Sequence, residues 1–178
     1  MNNFRHIGFS DVATAAAILP FHAAHFSDET YRQNYAGSAH PESETVYLRM
    51  PPVLSLEGMF SSLDVENRPL MLVPEFAELV YAMASKIAGR LARVMLIKLK
   101  AGGRIHPHID QGDYAEATDR YHLPIITNDG AWLRSGSETK HLAAGEIWAF
   151  NKHVLHEGAN EGTEDRIHLV ADFFKVAA

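Results

Sequence analysis

The pattern of apolar and polar positions changes character near residue 93. Before that point the clearest signal is helical. Phe76, Leu79, Val80, Met83, Ile87, Ala88 and Leu91 recur at steps of three and four residues, one apolar stripe that predicts a helix over 75–92. Pro74 stands just ahead of it, where a missing N–H costs nothing. A shorter helix is expected over 11–19, an alanine-rich run with Ser10 or Asp11 as N-cap, stopped by Pro20. Residues 26–40 are polar and turn-rich, and 45–49 read as a short strand closed by Pro51 and Pro52.

Beyond Arg93 the period shortens. Val94 to Leu99 is an apolar run broken only by Lys98, the mark of a strand buried on both faces. Strand-like runs follow at 104–110, 120–127, 131–134, 146–150, 156–160 and 166–175. Glycine-containing turn signals at 101–103, 128–130, 144–145 and 160–162 separate several of them. Short strands at this spacing behind a helical start predict a mainly β sandwich or barrel with the helices packed on one side. No repeat or Pro/Ser linker divides the 178 residues. One domain is expected, helical with a short strand over 1–92 and β over 93–175.

Composition removes several function classes. There is no cysteine, which excludes disulfide scaffolds, Cys-ligated metals and thiol nucleophiles. With 16 Lys+Arg against 22 Asp+Glu the chain carries −6 and a pI near 6.0, so it lacks the positive field that nucleic-acid partners need. The longest apolar stretch, Val12 to Phe26, is interrupted by Thr14, Pro20, His22 and His25 and falls short of the ~20 residues of a membrane span. The same stretch makes a poor signal peptide. No membrane partner and a cytoplasmic location are expected.

The histidines change the picture more. Seven of the 11 lie between His106 and His168. Side chains two apart on a strand share a face. His106, His108 and Asp110 therefore share one, as do Arg120 and His122, and Arg166 and His168. Tyr121, Leu123 and Ile125 take the opposite face of the second strand, and Ile167, Leu169, Ala171 and Phe173 that of the third. The apolar faces must meet a core, so the polar faces are either solvated or line a polar cavity. His-x-Asp followed by a distant histidine is the ligand set of a facial Fe(II) triad with open positions for substrate and oxygen. Arg166, ten residues past His156, offers a guanidinium for a bidentate carboxylate. A metal with open positions plus a cation for a diacid describes a 2-oxoglutarate-dependent oxygenase. Two alternatives use the same residues: a cupin-like metalloenzyme that does not use 2-oxoglutarate, and a ligand-binding barrel whose histidines are surface groups. Neither explains why the His, Asp and Arg blocks occur together.

Five blocks also carry a family resemblance: Ile105 to His108, Arg120 to Pro124, Gly145 to Phe150, His156 to Gly158, and Arg166 to Asp172. In order and spacing, over about residues 93–174, they resemble the aspartyl/asparaginyl β-hydroxylase family. The resemblance implies a double-stranded β-helix, the jelly-roll or cupin-like fold, and an oxygenase using Fe(II), 2-oxoglutarate and O2. Residue by residue it matches His108 and His156 to the iron-binding histidines and Arg166 to the arginine holding the distal carboxylate of 2-oxoglutarate. Arg120 and His122 match the Arg-x-His pair beside the cosubstrate. The best-known branch has no acidic residue two places after its first iron histidine. Here that place is Asp110, as in proline hydroxylases, so Asp110 completes the expected triad and the substrate need not be an aspartyl or asparaginyl side chain.

The resemblance selects His108 over His106 and His156 over His153, and leaves His168 to orient a neighbour or fill the core. Trp148 and Phe150 are expected in the core. His40, Thr45 and Arg49, near one predicted strand, are the candidates for holding the substrate, a small molecule or peptide. Arg49 would suit an anionic group on it. Expected products are succinate, CO2 and a hydroxylated amino acid, amino-acid derivative or peptide side chain.

Overall fold

The computed structural model describes residues 2–28 and 30–176. In chain order the elements are β1 (Phe4–Phe9), α1 (Ala13–Ile18), α2 (Tyr31–Asn34), β2 (Ser43–Met50), α3 (Leu56–Ser61), β3 (Glu66–Asn67), α4 (Pro74–Ala84), β4 (Arg90–Leu99), β5 (Arg104–His108) and α5 (Asp113–Ala117). There follow β6 (Thr118–Ile126), β7 (Ala131–Ser135), β8 (Glu138–Lys140), β9 (Glu146–Phe150), β10 (His156–Asn160) and β11 (Arg166–Phe174). The strands form two antiparallel sheets. The larger runs β1-β9-β6-β11-β4-β2-β3 and the smaller β5-β10-β7-β8. Residues of both sheets line a shared narrow cavity, the arrangement of a double-stranded β-helix.

The alternation in the strands decides which face meets which layer. Tyr121, Leu123 and Ile125 on β6 and Ile167, Leu169, Ala171 and Phe173 on β11 point out of the barrel. They pack with Phe76, Leu79, Val80 and Met83 of α4 and with Ala15, Leu19 and Phe26 from the N-terminal helical segment. Burying side chains of this size contributes roughly 1.5–3 kcal/mol each, so the helical layer is held by its apolar stripe. The opposite face of the same strands carries Arg120, His122, His168 and Asp172 into the barrel.

Two elements differ from the expected ones. α4 stops at Ala84 and not at 92, although Ile87 still reaches the core. The chain turns through Gly89, whose φ of +118° suits glycine, and a Cβ there would lie 2.4 Å from the carbonyl oxygen of Phe174. Pairing of β4 with β11 out to Arg90 and Leu91 wins over helix periodicity at that point. The N-terminal part also contributes β1, which pairs with β9, and β2, which pairs with β4, so the larger sheet is built from both halves of the sequence. Among the described residues no helix is long and apolar enough to cross a membrane.

Candidate metal centre

Three side chains converge where β5 meets β10. His108 is the last residue of β5, His156 the first of β10, and the two are register partners. Asp110 follows just beyond the strand end, its N–H donating to the Lys152 carbonyl at 3.1 Å. One ligand atom from each of the three lies within 4.8 Å of the others. His108 Nε2 is 3.5 Å and His156 Nε2 3.7 Å from Asp110 Oδ1.

Both imidazoles are set in the same way. The Nδ1 of His108 donates to the His106 carbonyl at 2.8 Å, and that of His156 to the Val154 carbonyl at 2.9 Å. The proton is thereby fixed on Nδ1 and the Nε2 lone pair is left free. Burial lowers the pKa of both rings, that of His156 to about 4, so each is the neutral, ligating form. His108 Nε2 is buried without a hydrogen-bond partner. An orphaned imidazole nitrogen beside a second imidazole and a carboxylate oxygen fits a divalent metal of the iron type.

Arg120 sets the carboxylate. Its Nη1 donates to Asp110 Oδ2 at 2.6 Å, while Nε and Nη2 clamp Asp172 at 2.8 and 3.0 Å. Asp172 and Arg120 are cross-strand partners on β11 and β6. Burial opposes the charge on Asp110, but Arg120 and the neighbouring histidines outweigh it and hold the pKa at about 2. With Oδ2 taken, Oδ1 is the oxygen left for a metal. The loop beyond Asp110 passes beneath α3 at Gly112, where φ is +92° and a Cβ would sit 2.6 Å from the Phe60 carbonyl oxygen.

Arg166, at the head of β11, is in a different state. It is 1% exposed, its Nε and Nη1 have no hydrogen-bond partner, and burial alone pulls its pKa down to about 10. No carboxylate pairs with it among the described residues. It opens on the cavity between the sheets, shared with His122, His156 and Phe150. His122 and His168 stand beside it, Nδ1 to Nδ1 at 3.4 Å, and burial followed by the Arg166 charge lowers both pKa values well below the ordinary histidine range. A second, outer cavity of about 290 Å³ reaches His108 and Asp110 from the side of α2, α3 and α5.

The matched part of the chain runs over residues 55–176, more than half of it, against the model of the Aspartyl/Asparaginyl beta-hydroxylase family. The chain belongs to that family. The L-proline cis-4-hydroxylase of Rhizobium meliloti (strain 1021) is 30% identical over 101 residues, covering 57% of this chain and 35% of that enzyme. The fold is shared more widely. A Pseudomonas putida prolyl-4-hydroxylase superposes with TM-score 0.55 at 11% identity, over 99% of this chain and 95% of its own. A viral collagen prolyl hydroxylase from Paramecium bursaria Chlorella virus-1, solved as a 2OG complex, gives 0.56 at 13%, over 98% and 97%.

His108, Asp110 and His156 come together, with Arg120 behind Asp110 and His122 beside Arg166. His106 instead faces Glu42 at 3.6 Å with its side chain half exposed, and His153 lies 3.7 Å from Glu116. Phe150 is buried and edges both His122 and His156. Trp148 is half-buried, its Nε1 donating to Glu146. His40 reaches the site, its ring 4.8 Å from that of His108. Thr45 is buried in the same sheet row as Ile97 and His168, its Oγ1 without a partner. Arg49 turns to Asn67 on β3 at 2.6 Å and lines neither cavity.

Three residues escaped the sequence reading. Asp172 shares parity with Arg166 and His168, and that parity could have found it. Lys152, 1% exposed with its Nζ on Thr118 Oγ1 at 2.7 Å, looks in sequence like any loop lysine. Burial lowers its pKa to about 8. Arg32, on the short α2, carried no signal at all.

Proposed function

We propose that the protein is an Fe(II)- and 2-oxoglutarate-dependent hydroxylase acting on an amino acid, an amino-acid derivative or a peptide side chain. The observation that carries this is Arg166. A fully buried guanidinium with unpaired N–H groups is costly unless a ligand supplies the anion. It opens on the same cavity as His108 and His156, as a diacid bridging metal and cation requires. Fe(II) with 2-oxoglutarate bound there supplies O2 activation, one oxygen atom going to succinate as CO2 is lost and the other to a substrate C–H bond.

The chain's own residues set the conditions for that chemistry. His108, Asp110 and His156 would hold the metal. Arg120 keeps Asp110 ionised and its Oδ1 turned to the metal position. Arg166 binds the far carboxylate of 2-oxoglutarate, with His122 and His168 kept neutral beside it so that no second cation competes. Phe150, edge-on to His156 and His122, excludes water from the inner cavity. The outer cavity presents the substrate on the His108 and Asp110 side.

Anaerobic titration of the apoprotein with Fe(II) and 2-oxoglutarate tests the reading. A visible metal-to-ligand charge-transfer band should need both additions and should weaken at least tenfold in 2-oxoglutarate affinity in Arg166→Ala. Iron binding without the band would point to a cupin-like metalloenzyme, and no iron binding would overturn the triad.

A further inference from the structure

The proposed function leaves two buried groups without a task. Arg32 is 7% exposed and lies in the wall common to the inner and outer cavities. Its Nη2 donates to His40 Nε2 at 2.9 Å and its Nη1 points to the Met95 sulfur at 4.0 Å. Neither partner is an anion, and no carboxylate lies within ion-pair distance among the described residues. Asp110 does act on it electrostatically, but that carboxylate is committed to Arg120 and the metal position. Because His40 Nε2 accepts from Arg32, the proton of His40 sits on Nδ1, and this donor too is buried without a partner. A buried guanidinium with only neutral partners, next to a buried imidazole N–H lacking an acceptor, describes an anion site.

The rest of the outer cavity narrows the anion's chemistry. Its charged lining residues are Arg32, Arg93, Arg120 and Lys152 against Asp110 alone. Arg93 gives both Nη groups to the carbonyls of Gly58, Met59 and Ser62 at 2.8–2.9 Å, tying down α3, and Lys152 gives its Nζ to Thr118. No uncommitted carboxylate faces the cavity among the described residues, so a free ammonium would meet net positive charge. Between the ends the wall is apolar, with Met50, Met59 and Met95, and the mouth exposes Phe60 and Ile109. About 290 Å³ is the small end of ligand sites.

We infer that Arg32 and His40 form a carboxylate anchor, and that the ligand of the outer cavity is a small apolar acid without a free ammonium, of the N-acylated amino-acid class. The inference deepens the hydroxylase reading and rests on it only for what is done to the ligand; the binding itself stands on the cavity. Arg32 and His40 both precede residue 55, outside the segment matched by the family model.

Calorimetry on the anaerobic protein loaded with Fe(II) and 2-oxoglutarate tests it. The probes are the N-acetyl derivatives of alanine, valine, leucine, methionine and proline, the same free amino acids, and their N-acetyl amides. At least one N-acetyl acid should bind tenfold or more tightly than both its free amino acid and its amide. Arg32→Met should erase that preference while changing 2-oxoglutarate affinity less than twofold, and Arg32→Lys should restore part of it. A free amino acid binding as well as its N-acetyl form overturns the inference, as does an amide matching its acid or a panel without binding. So does an Arg32 variant that loses 2-oxoglutarate as Arg166→Ala does. The wild-type comparison stands even where Arg32→Met fails to fold. If Arg166→Ala leaves 2-oxoglutarate binding intact, the hydroxylase reading fails by itself, and the acid preference is still measured with Fe(II) alone.

Discussion

Arg120 and Arg166 sit on the inner face of neighbouring strands, β6 and β11, Arg166 buried and Arg120 partly so, yet the chain treats them in opposite ways. Arg120 is surrounded by two carboxylates. Burial works against its charge, but Asp110 and Asp172 raise its pKa above the ordinary arginine value. Arg166 has no carboxylate partner among the described residues, and burial lowers its pKa to about 10. The two fates separate two functions that sequence alone lumps together. An arginine neutralised by the protein is part of the scaffold, here one that turns Asp110 Oδ1 toward the candidate metal position. An arginine left bare in the same interior is complete only with an anion from outside.

Breaking the scaffold side should have the largest effect. Asp172→Asn removes a fully buried carboxylate and leaves Arg120 with one partner shared with the metal position. The expected loss is about 3–5 kcal/mol in urea unfolding, with weaker Fe(II) binding, because the orientation of Asp110 depends on Arg120. A loss under about 1 kcal/mol would mean that the Arg120–Asp172 pair holds neither the fold nor the ligand.

The ligand side should respond with the opposite sign. Arg166→Met exchanges an uncompensated buried charge for an apolar chain of similar length and should stabilise the ligand-free protein by about 1–3 kcal/mol. Stabilisation by cosubstrate should disappear in the same variant. In the wild type, 2-oxoglutarate at about 100 times its Kd adds roughly 2.7 kcal/mol, read as a rise in Tm of the Fe(II)-loaded protein. If Arg166→Met destabilises the apoprotein as Asp172→Asn does, the two arginines are alike and the contrast collapses.

The histidines beside Arg166 sharpen the comparison through pH. Burial first, and the Arg166 charge second, hold His122 and His168 well below the ordinary value of 6.5. Below pH 6.5 the unfolded chain takes protons that the folded state refuses. Stability of the apoprotein should therefore be flat between about pH 7 and 8 and fall as pH drops from 6.5, by at most about 1.4 kcal/mol per unit for each histidine. Above about pH 8 it should rise, because the unfolded chain keeps the Lys152 proton that the folded state gives up. The carboxylates Asp110 and Asp172, held below 3.8, add to the loss only at lower pH. His168→Leu should flatten the Tm profile between pH 7 and 5, and Arg166→Met should flatten it less. Unchanged slopes in both would assign the pH dependence elsewhere.

What the sequence disclosed and what it hid follow the range of the forces involved. Strand parity was legible because one side of β6 and β11 had to be apolar for the helical layer, which put Arg120, His122, Arg166 and His168 inside. The candidate triad was legible from His-x-Asp and a later histidine, with the family resemblance selecting His108 over His106 and His156 over His153; that β5 and β10 pair at those two histidines is a finding of the structure. β1 was not, since its reason for being a strand is β9, some 140 residues away in sequence. The end of α4 was misread because the periodicity of Ile87, Ala88 and Leu91 is local, whereas the pairing of β4 with β11 that overrides it is not. Arg32 was invisible for the same reason, as a short polar helix acquires its meaning from the cavity it closes. Asp172 lay in plain view at the right parity.

Arg49 is the smallest test and bears on the same distinction. Its sequence neighbourhood suggested an anion-binding role, and its chemistry is that of Arg32, yet its guanidinium turns to Asn67 Oδ1 at the β2–β3 edge and lines neither cavity. Position and not residue type separates the two. Arg49→Ala should cost under about 1 kcal/mol of stability, as expected for one half-exposed hydrogen bond to a neutral partner. It should leave the affinities for 2-oxoglutarate and for the N-acetyl acids within twofold of wild type. A tenfold weakening of either in this variant would show that the outer cavity extends past Met50 to the sheet edge, and the acid anchor would then have to be divided between Arg32 and Arg49.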